Sequence, residues 1–194
     1  MSPSQIPDVH LQSMLTQRLP LLLPYDITRR QAAVLLPLFQ GTTDYHLVFT
    51  KRTDTVKHHK GQISFPGGSF EPADGDLLTT ALRESYEEVG IQPDHVSILG
   101  RLDDLDTFST NFTISPFVGL IPYPYPFRPN PLEVAMVFDV PVSVLADPTV
   151  GRRYVRARDD GATIEDYEFH IDGHVIWGAT ARIVRHFLAL MNGA

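Results

Sequence analysis

The chain's pattern predicts an α/β fold with a mixed β-sheet held between helices. Candidate strands come in two runs, each followed by a helix. That order suits a mixed sheet better than the alternation of a doubly wound parallel sheet. The 16 prolines, most of them in loops, argue against an all-helical chain. A length of 194 residues, 43% of them hydrophobic and 20% charged, suits one domain (1–194, core about 30–192) that buries a substantial core.

Asp8 to Arg18 reads as a short helix with Asp8 at its N-cap, broken by Pro20 and Pro24. The apolar run Ala32–Phe39 reads as a strand despite Pro37. Tyr45–Lys51 is its hairpin partner across Gly41-Thr42-Thr43-Asp44. Thr53–Gly61 is polar and basic, a loop, and Gln62–Phe65 is a short strand ending in the turn signal Pro66-Gly67-Gly68. After a loop at Glu71–Gly75, Asp76–Val89 reads as a helix, with Asp74 or Asp76 as N-cap and Gly90 as its C′ residue. Strands are expected at Val96–Asp103, Thr113–Ile121 and Val134–Val140. A Pro-rich loop covers Tyr123–Pro131, and a short helix begins at Pro141–Leu145. Arg153–Arg156, Tyr167–Ile171 and His174–Trp177 read as short antiparallel strands, the last two joined by Asp172-Gly173. Ala179–Met191 closes the chain as a helix, with Ile183, Phe187, Leu188 and Met191 at helical spacing.

The chain has no cysteine, so disulfides, thiolate metal sites and cysteine nucleophiles are excluded. A formal charge of −7 disfavours binding to a nucleic-acid backbone. A phosphate-rich small molecule remains a suitable partner if cations stand between the two sets of negative charge. No apolar run is long enough to span a bilayer, and the N-terminal residues lack a signal-peptide pattern. The expectation is a cytoplasmic location with no membrane partner. Assembly as a homodimer is compatible with the sequence.

The helix from Asp76 carries the chemistry. Leu78, Ala81, Leu82, Ser85 and Val89 form a stripe that can pack on the sheet. Glu84, Glu87 and Glu88 stand at i, i+3 and i+4, where side chains are neighbours and like charges repel. Such a triplet is often only a solvated acidic face. Here the Pro66-Gly67-Gly68 turn lies just upstream, so backbone can approach a phosphate or metal closely. Divalent ions would turn the repulsion into binding, since Mg²⁺ favours carboxylate, water and phosphate oxygens. Arg83 can hold a carboxylate in place bidentately.

These residues resemble the Nudix box, G-x5-E-x7-R-E-U-x-E-E-x-G-U, where U is aliphatic. Arg83-Glu84-Ser85-Tyr86-Glu87-Glu88-Val89-Gly90-Ile91 matches its second half except at Ser85. The first half is looser. Five residues after Gly68 stands Asp74, not Glu, and eight residues rather than seven separate it from Arg83. Glu71, Asp74 and Asp76 are the candidates for the first carboxylate. Upstream, Thr50-Lys51-Arg52-Thr53, Lys57, His59, Gly61 and Phe65-Pro66-Gly67-Gly68 resemble the stretch that precedes the box in coenzyme A pyrophosphatases. Ile176–Ile183 is similar to the end of those proteins.

The resemblance implies a Nudix fold, an α/β/α sandwich around a mixed β-sheet. It also implies hydrolysis of the pyrophosphate of coenzyme A or its thioesters with Mg²⁺ or Mn²⁺. The expected metal ligands are Glu84 and Glu88, with Glu87 and the Gly68 carbonyl assisting. The expected catalytic set is Glu84, Glu87, Arg83 and Glu133, the last as a candidate base at a strand edge. Arg52, Lys57, His59 and Gly67 are expected at the substrate. The rival readings are another Nudix specificity, such as ADP-ribose or a dinucleoside polyphosphate, and a non-catalytic nucleotide-binding Nudix domain. Tyr123, Tyr125 and Phe127 read as a packed loop, and Trp177 as core.

Overall fold

The computed structural model describes residues 8–54, 60–107, 110–157, 161 and 163–192. Lys57 and His59 therefore lie outside the described residues. Helix α1 (Asp8–Gln17) leads into the central sheet. That sheet is built from β1 (Arg30–Gln40), β2 (Tyr45–Arg52), β3 (Ile63–Ser64), β4 (Gly67–Ser69), β5 (Ser97–Arg101), β6 (Leu105–Asp106), β7 (Phe112–Leu120) and β8 (Val134–Pro141). Helix α2 (Leu77–Val89) falls between β4 and β5, and the short α3 (Val142–Ala146) follows β8. A second, three-stranded sheet joins β9 (Gly151–Ala157), β10 (Thr163–Ile171) and β11 (His174–Trp177), and α4 (Gly178–Met191) follows.

The central order is β3-β2-β1-β7-β5, with β4 on β1, β6 on β7 and β8 on β2. β1 and β7 run parallel from Arg30↔Phe112 to Leu38↔Leu120, while the other pairings are antiparallel, so the sheet is mixed. Successive side chains of β1 point to opposite faces. Ala33 and Leu35 pack with Ala81, Val89 and Ile91 beneath α2. Leu36 and Leu38 pack with Leu11 and Leu15 of α1 and with Val184 and Phe187 of α4. The result is the α/β/α sandwich. Each buried Leu or Val is worth roughly 1.5–3 kcal/mol of apolar transfer. Pro37 is tolerated inside β1 because it lies between the segment paired with β4 (Ala32–Val34) and the segment paired with β2 (Leu38–Gln40).

Several elements differ from expectation. Pro66-Gly67-Gly68 is more than a turn, because Gly67–Ser69 pairs with β1 as a strand. The strand expected over Val96–Asp103 ends at Arg101 and pairing resumes at Leu105. In between, Asp103 and Asp104 leave the ladder and accept from the backbone N–H groups of Leu21 and Leu23, at 2.7 and 3.0 Å, tying down the N-terminal segment. Glu71–Gly75 contains a 3-10 turn, Pro72–Asp74. Among the described residues no helix is long and apolar enough to cross a membrane.

Candidate active site

Helix α2 is delimited by its own sequence. The Asp76 carboxylate caps it, accepting from the Thr79 N–H at 2.7 Å. Gly90 ends it in the left-handed region at φ 75°, and its N–H bonds the Tyr86 carbonyl at 2.9 Å. Ser85, at a position the box pattern makes aliphatic, is buried with its hydroxyl satisfied, donating to the Ala81 carbonyl at 2.6 Å.

The three glutamates do not share one solvated face. Glu88 is 3% exposed, and the Glu84 and Glu87 side chains are 18% and 54% exposed, so the row runs from the interior to solvent. The expected packing stripe also shifts. Thr80, Ala81, Ser85, Glu88 and Val89 are the buried positions, and Leu78 and Leu82 are half-buried. β4 lies against this helix. Gly68 passes so close to Glu84 that a Cβ there would stand 2.4 Å from its carboxyl carbon. The Gly67 N–H donates to Glu88 Oε2 at 3.3 Å, and Arg52 Nη1 lies 3.4 Å from Glu88 Oε1. Burial pushes the Glu88 carboxyl up to about 8, against the pull of Arg52 and the Gly67 N–H. Burial also raises Glu84, opposed by Arg83.

Arg83 organises the exposed side of the row. Its Nε and Nη2 grip the two oxygens of Asp74 at 2.7 and 3.1 Å, and Nη2 also donates to the Ser69 carbonyl at 3.2 Å. Nη1 reaches Glu84 at 3.0 Å and Glu87 at 3.2 Å. Of the three candidates for the first box carboxylate, Asp74 is the one that meets Arg83. The Arg83 hydrogen bonds hold the Asp74 carboxyl well below the usual carboxylate range. Asp76 is the helix cap, and Glu71 is exposed. The box spacing hides this role, because the 3-10 turn Pro72–Asp74 takes up the extra residue.

The Pro-rich loop folds back over the end of α2. The N–H groups of Arg128 and Asn130 bond the carbonyls of Val89 and Glu88 at 2.9 and 2.8 Å. The loop's next turn delivers Glu133, whose carbonyl accepts from Thr53 at 2.9 Å and whose charge raises both Glu84 and Glu88. Tyr125 and Phe127 pack into the core beneath α2, and Tyr123 stacks on Phe39 at 4.4 Å, so this loop is packed. Among the described residues no three His, Cys, Asp or Glu side chains close into a ready-made metal cage.

A cleft of about 700 Å³ opens beside β4. Gly67, Gly68 and Arg52 line it together with Trp177 and the start of α4. Trp177, expected in the core, is 39% exposed there, because it ends an edge strand of the small sheet rather than a strand of the central one. The sequence signal available for it was the stretch Ile176–Ile183.

Residues 28–153 match the NUDIX domain model. The chain belongs to the Nudix hydrolase family. This Nudix hydrolase is 38% identical over 164 residues to the protein named uncharacterized Nudix hydrolase NudL of Yersinia pestis, an alignment covering 84% of this chain and 80% of the relative. The NudL of Yersinia pseudotuberculosis matches to the same extent. Among solved structures, a MutT/nudix family protein from Enterococcus faecalis superposes with a TM-score of 0.59 at 12% identity, covering 91% of this chain and 66% of that one. A Nudix hydrolase from Alicyclobacillus acidocaldarius gives 0.55 at 17% identity, covering 84% and 93%. These likenesses show the Nudix fold, a mixed sheet with flanking helices. The family's general chemistry is hydrolysis of small nucleotide-derived substrates with divalent metal.

Proposed function

We propose that this Nudix hydrolase splits the diphosphate linkage of coenzyme A or its thioesters, giving 3′,5′-ADP and 4′-phosphopantetheine or its acyl form. The observation that carries the reading is the position of Arg52. The stretch that resembles coenzyme A pyrophosphatases folds back through β2, β3 and β4 onto α2. Its one described arginine, Arg52, meets Glu88 at 3.4 Å at the edge of the cleft. The Arg52 guanidinium lines that cleft, and a cation there suits a phosphate oxygen.

The residues fit a hard divalent ion. Glu84 and Glu88 offer carboxylate oxygens on either side of the glycine backbone, and the space a Cβ would fill at Gly68 is the space the Glu84 carboxyl occupies. A half-buried carboxylate raised by burial is a place where a cation offsets an unfavourable charge. In this reading Glu84 and Glu88 hold Mg²⁺ or Mn²⁺, with Glu87 and the Gly68 carbonyl assisting. Such an ion neutralises diphosphate charge and makes water a better nucleophile.

The chain's own residues do the rest. Asp74 fixes Arg83, and Arg83 fixes Glu84 and Glu87. Arg52 receives the substrate's phosphate oxygens beside the Gly67 backbone, whose N–H holds Glu88, with Lys57 and His59 of the same stretch as further contacts. Glu133 takes the proton of the attacking water, and the bridging P–O bond breaks as water's oxygen joins phosphorus.

The test is incubation with coenzyme A and, separately, ADP-ribose, each with Mg²⁺ or Mn²⁺, with products weighed by mass spectrometry. The expected outcome is 3′,5′-ADP from coenzyme A, absent without the ion. Intact coenzyme A beside AMP released from ADP-ribose would replace the substrate and keep the reaction type.

A further inference from the structure

The NUDIX match ends at residue 153, yet the cleft has a wall built beyond it. Asp166 on β10, Trp177 at the end of β11, and Thr180 and Arg182 on the first turns of α4 all line the space that Gly67 and Gly68 also line. The sheet register brings two of them together. Trp177 pairs with Glu168 across β11 and β10, and Asp166 stands two residues from Glu168 on the same face. A diagonal pair of this kind lies roughly 7–8 Å apart, within reach of a shared ligand. Asp166 is 6% exposed, its Oδ1 accepting from the Tyr167 N–H at 2.9 Å and its Oδ2 from the Tyr154 hydroxyl at 3.4 Å, each oxygen keeping a second lone pair, and Trp177 is 39% exposed.

The wall is anchored before any ligand arrives. The Thr180 hydroxyl donates to the Ile63 carbonyl at 3.2 Å, joining α4 to β3. Arg182 Nη1 donates to the Asp106 carbonyl at 3.0 Å, and His174 stacks on Phe138 at 4.9 Å. A wall fixed in this way loses little entropy on binding.

We propose that this C-terminal unit is the specificity wall of the cleft and that it takes the nucleobase of the substrate, with the base stacked on Trp177 and its amino group directed to Asp166. A flexible apolar arm would need neither feature. An indole face suits a planar ring, and a carboxylate oxygen suits an exocyclic amine. The inference rests on the hydrolase reading for its substrate class but not on coenzyme A in particular, because the test uses the two halves of the substrate separately.

Trp177 is the chain's single tryptophan, so its fluorescence reports on this wall alone. The full chain is titrated with 3′,5′-ADP, with AMP and with 4′-phosphopantetheine, and binding is followed in parallel by calorimetry. The expected result is that a nucleobase-bearing ligand changes the tryptophan emission and 4′-phosphopantetheine does not. Trp177→Ala should raise KM for the best substrate on the order of tenfold with a much smaller change in kcat, and Trp177→Phe should recover most of the loss. Emission that responds to phosphopantetheine alone, emission that stays unchanged with every one of the three ligands, or a KM untouched in Trp177→Ala would each overturn the proposal. If coenzyme A is not hydrolysed but the nucleotides still change the emission, the substrate assignment fails and the wall stands.

Discussion

Asp74 stands one residue out of step with the box pattern, and its carboxylate still reaches Arg83, which bonds Glu84 and Glu87. The pair is well shielded, with side chains 3% and 23% exposed, so its charge-assisted bonds are worth about 2 kcal/mol. Asp74 is held below its ordinary pKa in the folded protein. The contribution is therefore fully present above the unfolded value, about 3.9, and is lost as pH falls below it toward the folded one. Asp74→Asn should lower stability at pH 7 by about 2 kcal/mol, and its deficit should shrink as pH drops from 5 toward 3. Denaturant melts of both proteins across that range check this, and a deficit that is flat with pH would rule out the ionic role. Turnover should also fall, by roughly 10–100-fold, because Arg83 loses the anchor that orients Glu84. The sequence shows Glu84, Glu87, Glu88 and Arg83 by their spacing. It does not show that Glu88 is buried while Glu87 is exposed, because helical periodicity places side chains around an axis without saying how deeply β4 covers one side. It also leaves Asp74 tied with Glu71 and Asp76, since only the 3-10 turn separates their roles.

The element that brings fold and site together is β4, three residues that sequence pattern reads as a turn. Its two glycines serve different ends. At Gly67, with φ 153°, an added Cβ would lie 2.3 Å from the Ala33 carbonyl oxygen, which is backbone in the central strand. At Gly68 it would meet the flexible end of Glu84. Gly67→Ala should therefore destabilise the whole molecule, by about 1–3 kcal/mol. Gly68→Ala should leave the melting curve nearly in place while displacing Glu84 and removing most of the activity. Parallel melts and assays of the two variants decide it, and equal stability loss in both would show that the glycines play one role. Longer elements were easier to read. The β1–β2 hairpin, α2 and α4 carry strong periodicity and clear end signals, and they fold close to their expected limits. The short strand β4 exists only through pairing with β1, which is distant in sequence, so local pattern carries little trace of it, and β6, two residues paired with the nearby β7, is too short to show a period.

Across the molecule, one face of the sheet carries α2 with its row of glutamates, while the other carries α1 and α4. The cleft lies where the central sheet meets the C-terminal unit, so residues from both parts of the chain line it. Element order made the layered α/β architecture legible. The meeting of Arg52 with Glu88, and of Trp177 with the cleft, depends on packing between segments 36 and more residues apart and was beyond local pattern. In the proposed mechanism Glu84 and Glu88, set against the glycines of β4, hold divalent ions that expose a diphosphate to water. The most direct measurement is Mn²⁺ binding followed by electron paramagnetic resonance, in the intact chain and in Glu84→Gln and Glu88→Gln, beside hydrolysis assays of the same samples. Bound Mn²⁺ is expected in the intact protein, with much weaker binding in both variants and turnover lowered roughly 1,000-fold with the fold retained. Unchanged Mn²⁺ binding and near-normal hydrolysis in the two variants would contradict it.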